Sequence, residues 1–176
     1  ARDQSKGAGH GQMAAYEASD FLWAKAENIA PTEGKIKITL DHKMAGVHIK
    51  LTEGTGFQEG EFALIEKHVS AVGTTRKAAI NMVTGQVTPV GGAQSDGIQM
   101  CPQTDGSFRA VVVPQTVAAG TPLFSLTVEG MVYNFKKDVD FTYEPGKVAK
   151  FTIRIKRKQH TGEYELELED SEIVAW

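Results

Sequence analysis

Cysteine is almost absent from this chain, and that scarcity removes one means of stabilisation. Cys101 is the single cysteine among 176 residues, so no internal disulfide can form. A chain of this length can bury enough apolar surface to fold without disulfide or metal cross-links. Taken alone, the scarcity of cysteine favours a reducing compartment.

Long apolar runs and an excess of positive charge are also missing. No stretch approaches the roughly 20 apolar residues that a membrane-spanning helix needs. The net charge is −3 and the isoelectric point is near 6.0. Proteins that bind nucleic acid usually present a basic surface, so this balance argues against a nucleic-acid partner.

Motifs for catalysis and metal binding are missing as well. The chain has no HExxH, CxxC or GxSxG sequence. The glycine-rich residues 54–60 place their third glycine one position late for a phosphate-binding loop, and no helix is predicted after them, so we interpret them as a loop. The histidines lack metal-ligand spacing and are interpreted as surface or hydrogen-bonded side chains: His10, His42, His48, His68 and His160. The sequence therefore predicts no enzyme, no cofactor and no metal.

Four groups of residues could form a functional site, but each is better explained by a structural role. Asp138 and Asp140 favour a solvated loop over a calcium site, because a hard cation needs several oxygen ligands. Cys101 favours an inert core residue over a reactive thiol. Trp23 and Trp176 favour packing aromatics over a carbohydrate-stacking surface. The acidic residues 163–169 favour a charged outer face over a catalytic pair, which needs two carboxylates in unlike environments.

What the chain does contain is apolar alternation with a period of two. Side chains on a strand point to opposite faces in turn, so such alternation predicts strands with one buried face. The clearest strand spans residues 147–157. The residues predicted to face the core are Ala149, Phe151, Ile153 and Ile155; Met131, Tyr133 and Phe135; Ile36, Ile38 and Leu40; and Val47, Ile49 and Leu51.

Turn signals separate these strands and indicate an all-β fold. Glu129 with Gly130, and Pro145 with Gly146, are turn pairs directly before strands. Further strands are predicted at residues 62–69, 78–83 and 98–101. About eight to ten strands over residues 34–176 predict one antiparallel β-sandwich, preceded by a mostly irregular segment over residues 1–33 with a short strand at 21–24.

The last two strands are expected to form a hairpin with opposite charges on its outer face. The first carries Lys150, Arg154 and Lys156 outward, and the second carries a glutamate at alternate positions. Paired antiparallel, these rows predict cross-strand ion pairs, each worth roughly 0.2–1 kcal/mol.

Several segments in a fixed order resemble one known family. They are VVVPQTV at 111–117, LTVEGMVYNF at 126–135 and FTYEPGKVAKFTIRI at 141–155, with additional matches in SDFLWA at 19–24, LDHKMAGVHIKL at 40–51 and NMVTGQVTP at 81–89. Together they resemble the fimbrillin-like family of Bacteroidales surface proteins, the type V pilins and their tip and accessory subunits. The resemblance covers residue 19 to the end.

The resemblance implies a fold, a location and a mode of assembly. It implies a transthyretin-like β-sandwich of Greek-key type, with residues 1–33 as the remnant of a first domain. It also implies a fimbrial subunit at the cell surface, made as an outer-membrane lipoprotein precursor. Subunits would polymerise with other fimbrial subunits by donating a β-strand. The residues expected to be donated or to contact a partner are Ile173, Val174, Ala175 and Trp176.

A second function fits the same fold and stays open here. A surface adhesin or glycan-binding module, with a host or bacterial surface ligand, would need exposed aromatic side chains or a calcium-held loop. We expect such a site in the loops at residues 53–60, 91–97 and 136–140.

Overall fold

The computed structural model describes residues 3–7, 13–27, 34–93 and 97–176, and within these ranges the chain is all-β. Helix is confined to a single turn, α1 (Glu61–Leu64), and a 3-10 turn at Glu17–Ser19. The strands are β1 (Leu22–Trp23), β2 (Asp41–His42), β3 (Ala45–Glu53), β4 (Lys67–Ala71), β5 (Lys77–Asn81), β6 (Gln86–Val90), β7 (Ile98–Gln99), β8 (Cys101–Pro102), β9 (Ser107–Val112), β10 (Gln115–Val117), β11 (Pro122–Val128), β12 (Met131–Lys136), β13 (Phe141–Tyr143), β14 (Lys147–Arg157) and β15 (Tyr164–Ala175).

Two sheets make up the body of the molecule. The larger sheet has the strand order β15-β14-β3-β9-β8, and the smaller has the order β12-β11-β4-β7. Neighbouring strands are antiparallel except for β14 and β3, which are parallel. The antiparallel sandwich expected from the sequence is therefore confirmed in its main features, with one parallel pair that alternation alone does not indicate.

The core lies between these two sheets and is built from the alternating residues. In β14, Ala149, Phe151, Ile153 and Ile155 are all buried, as their spacing predicts. Phe124 of β11 stacks on Phe135 of β12 at 4.6 Å and meets Phe151 across the sandwich at 5.6 Å between ring centroids. Fully burying a side chain of this size contributes roughly 1.5–3 kcal/mol.

Turn chemistry fixes the β11–β12 hairpin. Glu129 and Gly130 both adopt positive φ, at 46° and 81°. Two consecutive residues at positive φ suit a two-residue hairpin turn, whose twist matches that of the flanking strands. The turn sets the register that places Phe124 opposite Phe135.

Smaller two-stranded sheets pair β1 with β2, β5 with β6 and β10 with β13. The β5–β6 hairpin turns at residues 82–85, and Trp23 of β1 donates its indole N–H to the carbonyl of Met82 at 3.1 Å. A Cβ atom at Gly85 would lie 2.5 Å from this indole. Trp23 is therefore a packing aromatic.

Two predicted strands differ from the structure, the first completely and the second in part. Ile36, Ile38 and Leu40 were expected to face the core, but they are 57%, 57% and 53% exposed, and residues 35–40 belong to no strand. The strand predicted at 62–69 divides into α1 and β4, with Leu64 left in solvent. A carboxylate oxygen of Glu61, the first residue of α1, accepts the N–H of Gln58 at 2.8 Å within the turn that leads into the helix.

The described part of the leading segment is packed on the body. The side chain of Gln4 is buried and bonds both backbone groups of Val111, donating to its carbonyl at 2.9 Å and accepting its N–H at 2.8 Å. The Gln4 carboxamide thus occupies the edge of β9 as a neighbouring strand would. The division into residues 1–33 and 34–176 itself stays a prediction.

Candidate interaction surfaces

The residues predicted to contact a partner lie at the end of the chain's own hairpin. Ile173, Val174 and Ala175 pair with Ala149, Val148 and Lys147 of β14. The backbone N–H of Trp176 donates to the carbonyl of Gly146 at 3.1 Å. Donating these residues to another subunit would first require these backbone pairs to break.

Trp176 is held against His42, and His42 against Asp20. The two rings stack with centroids 4.5 Å apart. Nδ1 of His42 lies 2.6 Å from Oδ2 of Asp20, whose side chain is only 8% exposed. The three side chains therefore join the leading segment, β2 and the end of β15.

Beside them runs an outer groove of about 800 Å³ on the solvent face of the larger sheet. Its floor is apolar, with Gly46 and Val148 at the centre. A Cβ atom at Gly46 would lie 3.0 Å from Val148 and 3.4 Å from the Trp176 ring, so glycine keeps this floor open. Its polar side chains include Tyr16, Asp20, His48 and Arg109.

Burial controls the charge of the groove. His48 and Arg109 are cross-strand neighbours in β3 and β9. Burial, reinforced by the guanidinium of Arg109, lowers the pKa of His48. Nε2 of His48 and Oδ1 of Asp20 have no hydrogen-bond partner among the described residues, and both atoms are closed to solvent. Arg109 and Lys150 bring permanent positive charge to the groove, and Lys150 pairs with Glu172 at 2.9 Å.

A second surface is the side of the sandwich where β12 and β15 are the edge strands. Tyr133 and Tyr164 hold the two edges together, because the N–H of Tyr164 donates to the Tyr133 hydroxyl at 3.0 Å. Beyond this contact, apolar side chains stay in solvent on both edges: Met131 at 39%, Val132 at 63%, Leu168 at 38% and Ile173 at 45% exposed.

The chain matches one protein family over nearly its whole length. A sequence model described as fimbrillin-like matches residues 3–176. The chain belongs to the fimbrillin-like family. The resemblance seen in the sequence is thereby confirmed, and no curated protein matches the chain.

Solved structures share the fold of this fimbrillin-like chain. A proposed cell adhesion protein from Bacteroides uniformis ATCC 8492 is 21% identical with a TM-score of 0.58, over 80% of this chain and 54% of that one. Another from Bacteroides ovatus ATCC 8483 is 13% identical with a TM-score of 0.52, over 80% and 48%. At these identities the likeness shows the fold alone. The fimbrillin-like chain spans about half the length of these structures.

The acidic row predicted as a charged outer face is confirmed as one. Lys156 lies 2.7 Å from Glu167, Lys150 pairs with Glu172, and Arg154 pairs with Glu169. These carboxylates share one exposed face of the β14–β15 hairpin, so nothing distinguishes an acid from a base among them.

The remaining sequence candidates lie apart from one another. His42 and His68 bond to carboxylates, His48 lines the outer groove, and His10 and residues 94–96 of the 91–97 loop lie outside the described residues. Asp140 accepts the N–H of Ala119 at 2.9 Å. Cys101 is buried, and burial raises the pKa of its thiol. Residues 54–60 form the connection from β3 to α1.

The described residues contain neither a metal-binding cluster nor a helix that could span a membrane. No three or more His, Cys, Asp or Glu side chains lie together in an arrangement that could hold a metal ion. In the same part of the chain, no helix has the length and apolar character to cross a membrane.

The sequence of this fimbrillin-like chain did not indicate the residues that shape these surfaces. Gln4, Asp20 and Arg109 belong to no catalytic or metal-binding motif, although Asp20 lies in the SDFLWA segment that resembles the family. Their importance depends on contacts with residues distant in the chain, such as Gln4 with Val111, and no local spacing indicates such contacts.

Proposed function

We propose that this chain is part of a non-catalytic fimbrial subunit that assembles with other subunits, of the same or another kind, by β-strand addition. Membership of the fimbrillin-like family supports a fimbrial or adhesive role. The finer expectation is that the sandwich is transthyretin-like with Greek-key connections. It acts outside the cell, in a fimbrium, after release from a lipid-anchored outer-membrane precursor.

The observation that carries the proposal is the free edge of β15. This strand is 12 residues long and pairs on one side with β14. In the described part of the chain, no strand covers its other side. An edge strand points half of its backbone N–H and C=O groups away from its neighbour, where another chain can pair with them. The adjacent Leu168 and Ile173 offer apolar surface to such a strand.

The terminal residues belong to this proposed contact. Ile173, Val174 and Ala175 form the end of the free edge, and Trp176 follows directly. We propose them as residues that touch a neighbouring subunit.

Gel electrophoresis of the native surface fraction tests this function. An antibody to the chain should detect a ladder of bands in SDS without boiling, collapsing to one band after boiling, because strand-exchanged polymers resist detergent until heated. A strain lacking the chain gives the blank. One monomer band in both lanes would contradict the proposal.

A glycan-binding adhesin is the second candidate, and Trp176 is the observation that favours it. Its ring is 38% exposed in the outer groove, in which Arg109 also takes part. A sugar ring can stack on an exposed aromatic face while a cation binds its hydroxyl or acidic groups. A glycan array with the purified chain tests this, with Arg109→Ala as the groove variant and Arg76→Ala as a distant arginine control. Binding lost in R109A alone supports it, and no bound glycan contradicts it.

A further inference from the structure

Residues 35–40 form a strand-like segment without a sheet. Their sequence, Lys-Ile-Lys-Ile-Thr-Leu, alternates polar and apolar side chains. Ile36, Ile38 and Leu40 are each more than half exposed, and within the described residues none of the six pairs with another strand. In an extended conformation these three side chains would lie on one face, and exposed backbone of this kind can pair with a strand of another chain.

The free edge of β15 has the complementary pattern. Residues 165–168 read Glu-Leu-Glu-Leu. Leu166 packs against the core and Leu168 is 38% exposed beside it, while the glutamates point to the outer face. Glu165 makes no ion pair among the described residues. A strand added here needs apolar residues on its inner face and cations on its outer face.

We propose that the 35–40 segment of one copy adds as a strand to the β15 edge of a second copy. Ile36, Ile38 and Leu40 then extend the apolar row of Leu166 and Leu168. Lys35 and Lys37 face the glutamates, chiefly the unpaired Glu165. The inference rests on the proposed fimbrial function, because it names the donated and accepting segments of the assembly.

Geometry excludes the chain's own residues 165–168 as the acceptor. The segment ends beside His42, which stacks on Trp176 at the far end of β15. At about 3.3 Å per residue, Lys37 reaches roughly 17 Å from His42, whereas its proposed partner Glu165 lies about 36 Å along the strand from Trp176. The complementary residues can therefore meet only between two copies.

The contact is heterologous, since each copy uses one surface to donate and another to accept. Such contacts continue from copy to copy unless the rotation closes a ring. The purified chain should accordingly form a concentration-dependent series of oligomers that shortens as salt is raised, because salt screens the lysine–glutamate pairs.

Sedimentation velocity on the purified chain tests the donor. Ile36→Ser with Ile38→Ser should leave only monomer. The matched control is Met82→Ser with Val83→Ser, which removes two equally exposed apolar side chains, at 68% and 70%, from the β5–β6 turn. The control should associate as the unaltered chain does. Equal association of both double variants would overturn the proposal, as would a chain that is monomeric at its highest soluble concentration.

Charge exchange tests the acceptor. Glu165→Lys, and separately Lys37→Glu, should each weaken association by about tenfold, because like charges opposite each other destabilise a strand pair. Combining E165K with K37E in one chain should recover most of the loss. Failure of this recovery would place the donated segment elsewhere.

Mixing shows that two copies are joined. The I36S/I38S chain keeps its acceptor edge, and the Glu165→Lys, Leu168→Lys chain keeps its donor. Together they should give a 1:1 dimer that grows no further, while each alone stays monomeric. A surface ladder that persists with I36S/I38S would leave the fimbrial function standing and overturn this inference. If the surface ladder is missing while the purified chain still forms oligomers, the fimbrial function is contradicted and this inference stands.

Discussion

His42 stacks on Trp176 with the two ring planes 8° from parallel. Nδ1 of His42 also lies 2.6 Å from Oδ2 of Asp20. His42 therefore links Trp176, the last residue of the sequence, to the leading segment. Trp176→Ala should lower the free energy of unfolding by about 1 kcal/mol, the typical worth of an aromatic pair. Urea denaturation measures this.

Trp176→Phe is the control for this contact, because it keeps a ring over His42. It should recover most of the stability, and limited proteolysis should cut near residues 13–27 faster in W176A than in W176F. Equal loss in the two variants would contradict the ring stack as the contact that holds the segment.

Gln4 supplies the second test of how the leading segment is attached. Gln4→Ala removes both hydrogen bonds to Val111 and leaves a buried N–H and C=O unpaired on β9. Each unsatisfied buried polar group costs about 1–3 kcal/mol, so the two together should lower the free energy of unfolding by about 2–6 kcal/mol in urea denaturation.

The neighbouring Ser5 provides the comparison for Gln4. Among the described residues its hydroxyl bonds to Asp3 alone, at an exposed position. Ser5→Ala should therefore change stability little. If Q4A loses as little stability as S5A, the backbone N–H and C=O of Val111 must find other hydrogen-bond partners when Gln4 is replaced.

Much of the sandwich could be predicted from the sequence, because apolar residues alternate with a period of two along its main strands. Residues 149–155 alternate, and the buried set is the predicted one. The same alternation at residues 36–40 failed, because a period tells which side chains share a face but not whether a second sheet covers that face. The parallel pairing of β14 with β3 and the contact of Gln4 with Val111 join residues about a hundred positions apart, which no local pattern encodes.

The end of the chain was predicted to be extended for the same reason. Residues 173–176 were singled out as an apolar extended run, and in the structure residues 173–175 lie on the edge strand β15, with Trp176 directly after it beside the outer groove. Their contact with a partner stays a prediction. The polar side chains of that groove come from β3, β9 and the leading segment. Only the folded sheet brings His48 next to Arg109.

Tyr164 should make stability depend on pH in the alkaline range. Its hydroxyl donates to a carboxylate oxygen of Glu129 at 2.5 Å. Burial, reinforced by this bond, raises the pKa of Tyr164 from 10.0 to about 12. A raised pKa means that the folded state holds the proton more tightly, so the contribution is complete below pH 10 and is lost as the pH rises towards 12.

Tyr164→Phe removes this titrating group and tests the assignment. Stability at neutral pH should fall by about 1 kcal/mol, and the decline between pH 10 and 12 should become shallower than in the unaltered chain. In a titration followed by phenolate absorbance, Y164F should lack the contribution of one tyrosine that ionises at high pH. An identical alkaline decline in Y164F and in the unaltered chain would contradict the role of Tyr164.

Ile153 and Ile38 both belong to alternating segments, but substitution by alanine should destabilise the fold strongly at residue 153 and little at residue 38. Ile153 is 0% exposed at the centre of β14, whereas Ile38 is 57% exposed. Ile153→Ala leaves a cavity in the core and should cost about 2–5 kcal/mol. Ile38→Ala should cost less than about 0.5 kcal/mol, because surface changes away from specific contacts rarely exceed that amount.

Both substitutions are to be compared by urea denaturation at a concentration where the chain is monomeric. Under that condition Ile38 has no partner copy to stabilise, so its effect on the fold is isolated from any effect on association. At higher concentration the two variants should also differ in association. I38A should associate less than the unaltered chain, while the folded fraction of I153A, whose donor segment is unaltered, should associate as the unaltered chain does. A large loss of monomer stability in I38A would mean that residue 38 is packed within its own chain, which the exposed row of residues 36–40 contradicts.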